Sequence, residues 1–381
     1  MRVFKNEMIM GAAMALSIGF AAQAAQAASD YSNANAFALR SSGTVMGRSL
    51  CGGANAGAPD PCDEAWQEVD EDDNIKFIQA GGNMLFEVYP NGQTWIKVDP
   101  FNPGSTWINA GVDAGLTSPT QLTVGRNNVN LTGANNVYKA TGGKLFQWLS
   151  GSSWQELTAF SAKGVVAVSG DYVTTNTPGT GLRTVYHISS GAPTTPVIDR
   201  QYGPIVGTVD SYTGGHSSAY LARFIPGTMT NQENVTTTSV FMRSGTQYGP
   251  ASFTFTDIKG LAVGAQEEFN DVFMLFPRSV TFGDNNVVMV HEGSSTGTSN
   301  PGTVIRAGLS SAIAAATSDA PFNGFFRSYL WVLTPNPYNI VEYKCSATAA
   351  SCSVVMNAPV IATDPYIQVV AASDWVAGDP D

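Results

Sequence analysis

Charge is what this chain has least of. Asp, Glu, Lys and Arg together make up 13% of its 381 residues, and histidine occurs three times. Long surface helices draw on Glu and Lys, so this composition argues against a helical protein. The charges present are mostly acidic, with a net of −11. An acidic surface repels phosphate backbones and anionic lipid, which excludes both as main partners. Cysteine is rare too, at four, and none stands in a C-x-x-C pair. With the histidines scattered, zinc and thioredoxin-like sites are poor readings. No G-x-S-x-G elbow occurs, so the nucleophile pattern of the serine hydrolases is missing. Beyond residue 22 no apolar run reaches the length of a membrane helix.

The first 27 residues form a unit of their own. Arg2 and Lys5 precede an apolar run from Met8 to Ala22, and Ala25-Gln26-Ala27 follows as a small-x-small cleavage site. That order is the pattern of a secretory signal, with Ala22-Gln23-Ala24 as a second cut. The expected mature protein, residues 28–381, is exported, to the periplasm, cell surface or medium. No cysteine stands near the cut to carry a lipid anchor. Export also makes disulfides reasonable. Four cysteines allow three pairings, of which local closure, Cys51–Cys62 and Cys345–Cys352, is the simplest. Each bridge would close a short loop and stabilise by roughly 2–3 kcal/mol on the chain-entropy model.

Abundant Gly, Ser, Thr and Asn punctuate the remainder. Short apolar runs end at hairpin signals such as Asn91-Gly92 and Gly142-Gly143. Seven units of about forty to fifty-five residues follow, opening near Ala36, Leu85, Val137, Val185, Ala219, Val272 and Phe325. Each closes on a second apolar run ending in small residues, as in Ile75 to Gly81, Val165 to Gly170, Leu261 to Ala265 and Ile367 to Ala372. Such strands suit a crowded axis where backbones converge. Ala307 to Ser318 has a helical spacing of Leu309 and Ile313, but reads slightly better as an inner strand. Residues 174–180 and 294–301 read as exposed loops. No linker divides the chain, so residues 28–381 read as one repeat domain.

One spacing recurs inside this rhythm: Trp66/Val69/Gly82, Trp95/Val98/Gly111 and Trp154/Leu157/Gly170. Units too small to bury their own apolar faces must pack on neighbours. Trp66, Trp95 and Trp154 therefore read as equivalent packing positions. The expected fold is an all-β propeller of six or seven blades, closed by pairing a strand near Phe37 with one near Val369. Over residues 36–170 the chain resembles the tectonin-type β-propeller repeat. The likeness is carried by Trp66-Gln67-Glu68-Val69, Leu85 to Gly92 leading into Trp95-Ile96-Lys97-Val98, and Trp154-Gln155-Glu156-Leu157. That resemblance implies a secreted, non-catalytic scaffold that binds glycans or cell surfaces.

Two groups of residues invite a ligand. Trp107 and Trp148 fall outside the repeated spacing and are the expected stacking platform for sugar rings. Asp70, Asp72 and Asn74 match the alternate oxygen ligands that open a calcium loop. Ile75 and Gly81 stand where an EF-hand needs its Gly and bidentate Glu, so a solvated hairpin tip is the simpler reading. No other cofactor is called for. Gly214-Gly215-His216-Ser217-Ser218 reads as a polar turn, and neither His187 nor His291 has a visible partner. The expected function is non-enzymatic binding of a glycan or surface component. A polysaccharide hydrolase or lyase, or a self-associating matrix protein, is the alternative.

Overall fold

The computed structural model describes residues 34–50, 65–81, 84–125, 136–169, 172–177, 182–188, 196–202, 205–213, 216–225, 237–244, 247–256, 260–265, 269–276, 286–293, 303–306, 314–322, 325–335, 338–345, 352–361 and 363–373. Among them lie seven antiparallel sheets of four strands each. The first strands of successive sheets adjoin one another around a closed cycle, which makes the sheets blades of a propeller. Residues 1–27, and with them the signal reading, lie outside the described residues.

Blade 1 joins the two ends of the described chain. Its inner strand is Tyr366–Ser373, followed outward by Ala34–Arg40, Val45–Leu50 and Gln67–Asp70. Phe37 pairs with Val370 and Ala38 with Val369, the closure the sequence suggested. Blade 2 runs Phe77–Gly81, Met84–Val88, Gln93–Val98 and Trp107–Val112. Blade 3 runs Leu122–Gly125, Asn136–Thr141, Lys144–Ser150 and Ser153–Glu156. Blades 4, 5 and 6 follow over residues 165–202, 205–256 and 260–306. Blade 7 comprises Ala314–Phe322, Phe325–Pro335, Tyr338–Cys345 and Cys352–Asn357.

Six of the seven sequence units open in the second strand of a blade, and the closing runs Ile75 to Gly81, Leu261 to Ala265 and Ile367 to Ala372 fall on the inner strand of the next. The Ala-rich segment ending at Ser318 enters the inner strand Ala314–Phe322 as a strand. The fourth unit is different: Val185 lies in the third strand, Leu182–His187, and the second is Tyr172–Thr177. Residues 174–177 are therefore strand, with Thr174 and Thr175 buried, and not loop. Valine is the one aliphatic residue in Tyr-Val-Thr-Thr-Asn-Thr, so its period-2 signal is faint.

The core consists of seams between blades. Phe37, Leu39, Val45, Ile75, Ile78 and Leu85 fill the seam of blades 1 and 2. Phe77, Phe86, Val88, Ile96, Leu122 and Val137 fill that of blades 2 and 3. Inner strands are clipped across these seams by glutamine. Gln368 accepts from the Ile78 N–H at 2.9 Å and donates to its carbonyl at 2.8 Å. One blade further on, Gln79 donates to the carbonyls of Pro119 and Leu122.

The seam of blades 7 and 1 holds a buried ion pair. Arg48 Nε donates to Glu342 Oε2 at 2.5 Å and Arg48 Nη2 to Oε1 at 3.2 Å, while the Trp331 indole N–H adds a third donor. Both charged side chains are almost wholly shielded from water. Removing one partner strands the other charge, a loss of about 3–5 kcal/mol in comparable pairs. We expect Glu342→Gln to lower the urea midpoint of unfolding steeply. Arg48→Met with Glu342→Leu should recover most of that loss, as a double-mutant cycle would reveal.

Candidate functional site

The turns between second and third strands and the connections between blades meet at one end of the barrel. Gly43 and Gly92 make this contact. Their φ values are +104° and +82°, and an added Cβ would lie 2.5 Å from the Asp72 carbonyl oxygen and 2.0 Å from that of Asp113. Only glycine lets the outgoing connection lie against the hairpin at such a position. This hairpin end gathers most of the charged side chains described in blades 7 to 3.

Acids leaving one blade bind the hairpin of the next. Asp364, between blades 7 and 1, accepts from the Ser42 N–H at 2.8 Å and from the hydroxyls of Ser41 and Ser42. Arg40 Nη1 stands 3.7 Å away. Between blades 1 and 2, Asp72 accepts from the Tyr89 hydroxyl at 2.5 Å. Between blades 2 and 3, Asp113 meets the Lys139 ammonium at 2.9 Å and accepts from Thr141 and Gly115. Burial pushes the Asp113 carboxyl up, but the bonds and charge of Lys139, with Gly115 and Thr141, hold it below the usual carboxylate range.

The acidic segment from Asp70 to Asn74 is thus a connection between blades and not a hairpin tip. Asn74 supplies its positive φ of 75°. Asp70 accepts from the Trp107 indole at 3.1 Å on one oxygen and from the Asp72 N–H at 3.1 Å on the other. Among the described residues no three His, Cys, Asp or Glu side chains are grouped to hold a metal ion. The sequence candidates Trp107, Asp70 and Asp72 do come together, as one bridge across the first seam.

The tryptophans sort differently from their spacing. Trp66 directly precedes the outer strand of blade 1, Trp107 opens that of blade 2, and Trp154 lies in that of blade 3. These three are the equivalent positions. Trp95 is in a third strand and Gly111 is in an outer strand, while Gly82 and Gly170 lie outside the described residues. Trp-x-x-aliphatic sets its two residues on opposite faces, so it fits any strand with apolar residues on both faces, as Trp95 and Val98 do. Trp107 fell outside the repeated spacing because Ala110 takes the aliphatic place. Each outer-strand indole enters the seam toward the preceding blade: Trp107 bonds Asp70, and Trp154 bonds the Ala110 carbonyl at 2.7 Å.

Trp148 lies opposite Trp154, packs into the seam of blades 2 and 3, and donates to the Gly151 carbonyl at 2.7 Å. Trp107 and Trp148 therefore occupy different seams. Lys97 stands 5.5 Å over the Trp107 ring, and Lys139 4.4 Å over Trp154. Cys345 and Cys352 face each other across the outer hairpin of blade 7. Directly opposed Cα atoms stand about 4.5–5.5 Å apart, within reach of a disulfide. Cys51 and Cys62 lie outside the described residues. His187, His216 and His291 belong to blades 4, 5 and 6.

One group went unnoticed in the sequence. Glu87, in the second strand of blade 2, is 1% exposed, and its Oε1 has no hydrogen-bond partner among the described residues. Burial foremost, then the Asp70 and Asp72 charges, push its carboxyl up to about 9 against the pull of Lys97. A raised carboxyl has the profile of a general acid. Enclosed in the seam, however, it meets no substrate.

No family model matches the chain, and no curated protein does so either. Solved structures similar to it are β-propellers. Dihydro-heme d1 dehydrogenase NirN in complex with DHE is similar at a TM-score of 0.50 and 10% identity, over 91% of this chain and 75% of that one. The periplasmic gluconolactonase PpgL of Pseudomonas aeruginosa gives 0.46 and 13%, over 90% of this chain and 99% of that one. The N-terminal domain of Nup159 gives 0.39 and 6%, over 77% and 78%. At 10% identity the likeness to NirN is one of fold. The chain is a β-propeller.

Two expectations follow. Trp154→Phe, which gives up the bond to Ala110, should cost about 1 kcal/mol or more, a loss that Trp95→Phe does not reproduce. Thermal melts of the two variants check this. Asp113 has a lowered folded value, so its contribution is present above the ordinary carboxylate value and is lost as pH falls below it. Asp113→Asn should therefore flatten the acid limb of a stability-against-pH curve.

Proposed function

We propose that this chain is an exported, non-enzymatic binding propeller and that its ligand is a neutral glycan held at the hairpin end of blades 1 to 3. The observation that carries this reading is how the charges there are spent. Asp364, Asp72, Asp113, Lys139, Lys144 and Glu156 are each bonded to a neighbour within the protein. Beside the exposed acids Glu71 and Asp73 of the first connection, that end offers a ligand hydroxyl and amide, on exposed Ser41, Ser42, Asn91, Thr117, Thr120 and Thr158. Such groups suit sugar hydroxyls, while the exposed acids Glu71 and Asp73 discourage anionic ligands.

The tectonin resemblance over residues 36–170 points the same way, and the signal-like residues 1–27 support export. Trp107 and Trp148 fit the glycan reading less directly, because both are half-buried in seams. A glycan array tests the proposal. The mature protein should bind neutral glycans, and Thr120→Trp or Thr158→Trp should weaken binding tenfold or more without altering the melting temperature. Undiminished binding by both variants, or turnover of the bound polysaccharide, would overturn it.

A further inference from the structure

One position of the second strand changes character from blade to blade. It is the residue opposite Met46, Trp95 or Phe146 in the third strand, namely Ala38, Glu87 and Lys139. In blade 3 Lys139 meets an acid of the preceding blade, Asp113, at 2.9 Å. In blade 1 Ala38 brings no charge. In blade 2 Glu87 feels the negative charges of Asp70, which ends the outer strand of blade 1, and of Asp72 in the connection after it, so like meets like. Its side chain is sealed from water, and one oxygen has no partner among the described residues.

The geometry points to a proton-held joint: the seam between blades 1 and 2 is closed while Glu87 is uncharged and opens when it ionises. Titratable groups facing Glu87 come from three places. Asp70 and Asp72 belong to the outer strand of blade 1 and its connection, Lys97 to the third strand of blade 2, and Tyr89 to the hairpin beside it. The other elements packed into this seam present Phe37, Leu39, Ile75, Ile78 and Val370, which carry no charge. Among the described charges acting on Glu87 only Lys97 favours a carboxylate, and Lys97 is also committed to the Val69 carbonyl and the Trp107 ring.

The direction follows from linkage. In water a glutamic acid ionises near its ordinary 4.5, whereas the closed seam keeps Glu87 protonated to about 9. Its contribution to closure is complete below the ordinary value. It falls as pH rises from there through the folded value, because each opening then releases a proton. Between those limits the open fraction rises by up to tenfold per pH unit. Asp72 and Tyr89 move with this joint, so its opening loosens the hairpin end of blades 1 and 2.

Native-state amide exchange on the full chain, corrected for intrinsic base catalysis, tests the joint. Protection factors at residues 85–88 should fall severalfold to tenfold per pH unit between pH 6 and 9. Those in the seam of blades 2 and 3 should not. Glu87→Gln keeps the shape of the neutral acid and should remove the slope. Glu87→Leu, a second uncharged form, should do the same if Gln disturbs packing. A slope unchanged in both variants, or absent from the parent protein, would overturn the proposal.

Discussion

Lateral burial is the constraint on which this ring depends. A four-stranded sheet has two faces, and here each described face covers its apolar side chains with the next blade. The packed units are therefore seams: Phe37 and Leu39 of one sheet meet Ile78 and Leu85 of another. A blade alone would leave both faces wet, so the blades are stable together or not at all. The outer-strand tryptophans extend this contact to the rim. Their rings fill the widening gap between diverging sheets, and the indole N–H of Trp107 or Trp154 reaches back to the preceding blade.

Polar groups enter the seams in three electrostatic arrangements. The closing seam buries an Arg48–Glu342 pair, the next a carboxyl with one unpartnered oxygen, and the third an ion pair open to water at its edge. The same backbone position therefore serves as spacer, acid or base according to what the previous connection presents. A shared frame with different fillings is what divergence of a repeat would leave behind. It also explains why no single residue motif runs around the whole ring.

Much of the architecture was legible in the chain because strand periodicity and turn glycines act locally. Asn91-Gly92 and the apolar pair of runs around it marked a hairpin correctly, and Ile367 to Ala372 read as an inner strand. Closure between Phe37 and Val370 was inferable because the first unit lacked an inner strand of its own. The errors came where one local pattern serves two positions. Trp95 in a third strand has the same alternation as Trp154 in an outer one, and only pairing partners separate them. Thr174 and Thr175 hid a strand because threonine satisfies backbone geometry without advertising burial. Glu87 was invisible for a different reason. Its environment is assembled from residues 70, 72 and 97 on other strands, so no spacing in the chain announces it.

Blade 1 takes its inner strand from residues 366–373 and its other three from residues 34–70. During synthesis those three strands must therefore wait while some three hundred residues are made, with the edge of Ala34–Arg40 unprotected. Ribosomal order thus ensures that the circle cannot close until its last described strand has emerged. A neighbouring nascent chain bearing the same final strand would compete for that edge, which makes crowding during biogenesis the moment of greatest danger for this molecule.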